Sequence, residues 1–155
     1  MIAVVQRVTR GEVRVAGKTV GSVGRGAVVL VGARRGDDSA AVEILARKVA
    51  ELRIFEDENG KMNLSLCDLG LGVLVVSQFT LLADLKKGRR PGFDRAERPE
   101  RASRLLEQFV RLLEGHGLTV EQGRFGEEMQ LSLVNQGPAT FILDTDLWLR
   151  RPEDA

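Results

Sequence analysis

One cysteine and one histidine are the whole supply of soft metal ligands in this 155-residue chain. Cys67 and His116 cannot complete the usual thiolate and imidazole sets, so no metal site and no cofactor are expected. A single cysteine also excludes an intrachain disulfide framework and fits a reducing compartment. Long apolar runs are missing, and nothing approaches the ~20 residues of a membrane-spanning helix. The opening Met1-Ile-Ala-Val-Val-Gln-Arg7 brings charge too early, after too short an apolar run, for a signal peptide. A cytoplasmic location is the expectation. An excess of one charge is missing too. The formal net charge is +1, so any polyanion must meet a local basic cluster and not a basic chain.

What remains is 43% hydrophobic and 29% charged, ordinary for a globular chain, with no repeat or dividing linker, so residues 1–155 read as one domain. Ile2 to Val8 reads as a strand. Glu12 to Val15 and Lys18 to Val23 alternate around Ala16-Gly17, a hairpin signal, and Ala27 to Val31 completes an antiparallel meander. Asp37-Asp-Ser39 offers N-cap oxygens to a helix over Ala40 to Leu52, with Val42, Leu45, Val49 and Leu52 on one face. Pro99 opens a second helix whose stripe is Ala102, Leu105, Leu106, Phe109, Leu112 and Leu113, and Gly115-His-Gly117 ends it. Arg53 to Phe55, Thr119 to Gln122, Met129 to Val134 and Ala139 to Leu143 supply further strands. The class is α+β, a mostly antiparallel sheet with two main helices packed on it.

Two stretches carry chemistry. In Gly72-Val-Leu-Val-Val-Ser-Gln-Phe-Thr-Leu-Leu82, an apolar, largely β-branched run is followed by Ser77, Gln78 and Thr80, with Phe79 among them. Such a run predicts a strand buried on both faces, and polar groups at its tip need partners or a ligand. Lys86, Lys87, Arg89 and Arg90 follow in a glycine-containing loop, a suitable reader of phosphates, with Arg34-Arg35 and Arg150-Arg151 as weaker candidates. The second stretch, Asn135-Gln-Gly-Pro138, is too polar for mid-strand and reads as a turn between strands, where Gly-Pro permits a cis peptide.

Together, Ser77-Gln-Phe-Thr-Leu81 and Asn135-Gln-Gly-Pro-Ala-Thr140 resemble the D-aminoacyl-tRNA deacylase family, bacterial type. Val4-Val-Gln-Arg-Val8, Lys86-Lys-Gly-Arg-Arg-Pro91 and Gly123-Arg-Phe-Gly126 with Met129 extend the resemblance over nearly the whole chain. Gln136 stands where the family usually has Asp. The resemblance implies a barrel-like sheet flanked by helices and a homodimeric editing hydrolase. Such an enzyme cleaves the ester of D-aminoacyl-tRNA, and of mischarged glycyl-tRNA, rejecting L residues. It further implies a cis Gly137–Pro138 unit that acts in the partner subunit's pocket, braced by Arg7, Met129 and Asn135.

On that substrate, Ser77, Gln78, Phe79 and Thr80 are the catalytic candidates. Ser77 or Thr80 as nucleophile would need an adjacent base, and His116 at a helix exit or Lys86 in a cationic loop is a poor one. The expected mechanism uses the 2′-hydroxyl of the terminal ribose, with backbone N–H groups near Phe79 and Thr80 holding the oxyanion. The rivals are a non-enzymatic dimeric tRNA-binding module and a Thr80-dependent esterase.

Overall fold

In the computed structural model, which describes residues 1–149, one long strand organises the sheet. Strand β1 runs unbroken over Ile2–Val15. Ala3 and Val5 on one face and Val8 on the other are fully buried, as alternation predicts for a strand covered on both sides. β2 (Lys18–Val23) folds back antiparallel on the second half of β1, and β3 (Gly26–Gly32) lies antiparallel along the first half. The expected meander is corrected here. β3 pairs with β1 and not with β2, because a 14-residue strand has an edge long enough for both.

Helix α1 (Ser39–Glu51) begins where the Asp38 carboxylate accepts the Ala41 N–H at 3.1 Å. It buries Val42, Leu45 and Val49, each worth about 1.5–3 kcal/mol of transfer free energy. β4 (Phe55–Glu56) and β5 (Met62–Leu64) form a separate two-stranded ribbon. α2 (Leu66–Leu69) is a single turn closed by a Ser65–Asp68 capping box, and the sequence reading did not anticipate it.

β6 (Gly72–Ser77) lies parallel to both β3 and β7 (Thr119–Gln122), which explains its continuous apolar run. The sheet is therefore mixed, antiparallel around β1 and parallel around β6. α3 (Pro99–Gly115) packs beside α1 on the face carrying Ala3, Val5, Val29, Val31, Val73 and Val75. The opposite face gathers Val8, Val13, Val28, Leu74 and Val76 into a second apolar cluster. At Gly21 a Cβ would collide with the Gln122 carbonyl, so β2 approaches β7 closely enough to nearly close the sheet into a barrel.

β8 (Gln130–Asp144) runs along the remaining edge of β1. Two strands joined by a turn were expected; one 15-residue strand is found. Val8 pairs with Asn135 and Gln6 with Thr140, so residues 136–139 bulge outward opposite a single residue of β1. The polar Asn135-Gln-Gly-Pro138 is accommodated by that bulge, and its Gly137–Pro138 peptide is cis, as anticipated. Among the described residues no helix is long and apolar enough to cross a membrane.

Candidate active site

β6 delivers Ser77 to the end of the sheet, level with Val31 of β3, and the Gln78 N–H continues the pairing by donating to the Val31 carbonyl at 2.8 Å. There the chain turns into a 3-10 helix over Phe79–Leu82. Phe79 and Thr80 open this turn, so their N–H groups have no partner within it. The Gln78 side-chain amide donates to the Thr80 hydroxyl. Beside them lies a cleft of about 390 Å³. Ser77, Gln78 and Phe79 form one wall, and Ala96, Pro99, Ala102 and Leu106 form the other, with Phe93 and Phe125 at the rim. Phe79 is 57% exposed and meets Phe93 edge to face, with centroids 5.0 Å apart. Phe93 went unremarked in the sequence, and Pro99, Ala102 and Leu106 were read as a helix start and its packing stripe, with no part in a site. Phe125 lay within a quoted motif but had no assigned role.

The basic loop is held at its neck by paired backbone bonds between Asp84 and Gly92, at 2.7 and 3.0 Å. Lys86, Lys87, Arg89 and Arg90 are all exposed on it, a few residues beyond Phe79. Arg34 is different. It is 6% exposed, grips Asp144 through two bonds of 3.0 and 2.9 Å, and reaches Asp146 at 2.7 Å. It fastens the end of β8 to the Ala33–Arg34 segment behind the cleft and is not free to read RNA. Burial would raise the Asp144 carboxyl, but the Arg34 guanidinium and the Asp146 N–H hold it below the usual carboxylate range. Glu97, on the cleft rim, is likewise held low against its burial, by N–H groups of Arg98 and Gly36 and by Arg101. Arg150 and Arg151 lie outside the described residues.

The 136–139 bulge is anchored from both sides. Arg7, 5% exposed, donates to the Gln136 carbonyl at 2.9 Å and to the Ile54 carbonyl at 2.7 Å. The Asn135 amide donates to the carbonyls of Arg7 and Ala139 at 3.1 and 3.0 Å. A Cβ on Gly137 would collide with the Asn135 side-chain oxygen. Since the bond from Arg7 is to the Gln136 backbone, it is indifferent to Gln or Asp at that position. Met129 meets a different loop, where its sulfur accepts the Arg124 N–H at 3.3 Å and packs against Gly123.

Within one chain these groups are not brought together. The bulge sits beside Val8 of β1, whereas Ser77 is level with Ala3 and three strands across. Strand spacing and rise put the separation on the order of 20 Å. His116 is remote as well: it caps α3 near Thr119, which pairs with Gly72 at the opposite end of β6 from Ser77. Among the described residues no cluster of three metal-binding side chains is present.

The sequence model of the D-Tyr-tRNA(Tyr) deacylase family matches residues 4–144. A D-aminoacyl-tRNA deacylase of Symbiobacterium thermophilum is 56% identical over 144 residues, covering 93% of this chain and 95% of the relative. One from Bacillus licheniformis is 54% identical over 145 residues, covering 94% and 99%. A solved structure described as the c-Myc DNA unwinding element binding protein superposes with a TM-score of 0.87 at 40% identity, covering 93% and 98%.

Proposed function

The chain belongs to the D-Tyr-tRNA(Tyr) deacylase family, and from that premise we propose that its cleft hydrolyses the ester of D-aminoacyl-tRNA. The observation that carries the reading is local. An apolar cleft, two backbone N–H groups with no partner within the 3-10 turn, and four exposed cations all follow one another from the end of β6. Water attacks the ester carbon, the carbonyl oxygen gains charge against the Phe79 and Thr80 N–H groups, and the bond to the ribose oxygen breaks. The proton passes to that ribose oxygen, with the neighbouring 2′-hydroxyl assisting. Thr80 shapes the pocket, since the neighbour that reaches its hydroxyl donates to it and cannot act as its base. Lys86, Lys87, Arg89 and Arg90 meet the acceptor-stem phosphates, and the cytoplasm is where such a substrate is found.

Selection by hand is assigned to the Gly137–Pro138 bulge of a second subunit. Its carbonyls hold the substrate ammonium, leaving an L side chain directed into the backbone and a D side chain, or the hydrogen of glycine, free of it. Arg7 and Asn135 supply the rigidity such exclusion needs. Two observations favour a homodimer. The two groups stand on the order of 20 Å apart in one chain. The sheet face between them carries partly exposed Val4, Gln6 and Leu30, with Ile142 69% exposed. A two-fold axis through that patch exchanges the bulge of one subunit with the cleft of the other.

The test is deacylation of D-, L- and glycyl-tRNA, repeated with a terminal 2′-deoxyadenosine. Cleavage of the D and glycyl esters, sparing of the L ester and loss with the deoxy substrate are expected. Binding without cleavage would favour the rival of a non-catalytic nucleic-acid-binding module, a reading that the name of the DNA-element-binding relative keeps open.

A further inference from the structure

A smaller chamber of about 110 Å³ adjoins the cleft and shares Ser77, Leu106 and Phe125 with it. Its walls come from β6, α3 and the end of β7. Val75 and Val110 lie at its buried inner end, while Glu107 and Gln122 are exposed at its outer end. Ser103 stands between, half-buried on α3 one turn before Glu107. The chamber therefore has a polar opening between α3 and β7 and meets the cleft at Ser77, whereas Phe79, Phe93 and Arg98 line the cleft alone.

Chemistry gives this passage a task. Hydrolysis consumes one water per ester, and away from Ser77, Gln78, Glu97 and Arg98 the cleft is lined by alanine, proline, leucine and phenylalanine, which offer water few partners. On the hydrolase reading, a bound RNA end would occupy the mouth from outside. Water in a protein cavity needs two to four polar partners and roughly 30 Å³ of space, so a chamber of this size takes about three or four. Ser77, Ser103, Glu107 and Gln122 provide the partners.

We infer that this chamber is the route by which hydrolytic water reaches the ester on the Ser77 side of the cleft. Ser103 and Gln122 line the route, and their small or flexible side chains keep it open. The inference rests on the hydrolase reading above. The step adds water across the acyl carbon–ribose oxygen bond and needs no other reactant. Phe125 lines both spaces.

The experiment fills the chamber from two independent elements, Ser103→Leu on α3 and Gln122→Phe on β7, and measures single-turnover deacylation of D-aminoacyl-tRNA. Affinity for a non-hydrolysable amide-linked analogue is measured alongside. Each variant should lower the chemical rate constant by about tenfold or more while leaving the analogue's affinity unchanged, and Ser103→Ala should recover the rate lost in Ser103→Leu. A wild-type rate in two folded fillers would overturn the route. So would an equal loss in Ser103→Ala, which would mean that the hydroxyl and not the space matters. A loss of affinity matching the loss of rate would overturn it too. Failure of the wild-type protein to cleave any D-aminoacyl-tRNA would instead sink the hydrolase reading itself.

Discussion

Thr80 is the residue on which the competing mechanisms part. A nucleophilic hydroxyl must give its proton to a base, yet the group that reaches Thr80 is the Gln78 amide, which donates. His116 is at the far end of β6. Thr80→Ala is therefore expected to retain deacylation within about tenfold of wild type, whereas deletion of a covalent nucleophile costs on the order of 10⁴ or more. Single-turnover rates on D-aminoacyl-tRNA decide, and a trapped acyl-Thr80 would reverse the conclusion. Arg7 is the second such residue. Arg7→Met keeps the apolar stem and removes bonds to two backbone carbonyls, one of them on the bulge to which selection is assigned in the proposal. The expected cost is about 2–4 kcal/mol of stability from charge-assisted bonds lost at a buried site. A fall in the ratio of D to L cleavage should accompany it. Denaturant melts and paired D/L assays check the two parts separately. Unchanged selectivity in a destabilised variant would confine Arg7 to a structural role.

Among the elements, α1 and α3 were readable from the sequence because amphipathic spacing, an N-cap aspartate and an N1 proline all act locally. So was β6, since only a strand covered on both sides tolerates Val73 to Val76. The bulge in β8 was not. Asn135-Gln-Gly-Pro138 has turn chemistry, and only pairing to β1, more than 120 residues away, keeps it within a strand. The cleft was half legible. Its polar wall lies in one motif, but Phe93, Ala96 and Ala102 acquire meaning only when α3 is laid across the end of β6. The basic loop carries its own prediction. Replacing Lys86, Lys87, Arg89 and Arg90 with Ala should weaken tRNA binding and reduce the salt slope by up to about three or four, with D/L selectivity unchanged. Binding isotherms across a salt series measure this, and an unaltered slope would move the RNA to another surface. The β8 terminus has a pH signature. Because Arg34 holds the Asp144 carboxyl low, its stabilisation is present above the unfolded carboxylate range, near pH ~4, and is lost as pH falls through the lower folded value. Melting temperatures of wild type and Asp144→Asn should therefore differ near neutral pH and converge in acid.

At the scale of the whole molecule, the proposed function makes the cleft and the bulge two halves of one device, and a single chain holds them apart. The sheet face between them is covered by neither helix, and Ile142 is its most exposed apolar residue. Ile142→Asp should leave a folded subunit, since the side chain packs little within the chain, but should shift sedimentation to the monomer mass and abolish deacylation together. A sharper result comes from mixing. Ser77→Phe fills the cleft and leaves the bulge intact. Gly137→Val drives a side chain into the Asn135 amide oxygen and spoils the bulge, leaving the cleft intact. If the sites are completed across a dimer as proposed, each homodimer of these variants has two defective sites. A heterodimer, however, pairs the good cleft of one subunit with the good bulge of the other, giving one competent site and one doubly defective site. If subunits re-assort randomly from an equal mixture, half the dimers are mixed, and activity should return to about a quarter of the wild-type level. That recovery should depend on co-refolding or slow exchange and be absent when the two proteins are combined just before assay. Were cleft and bulge to serve the same site within one chain, no mixture of these two variants would recover any activity.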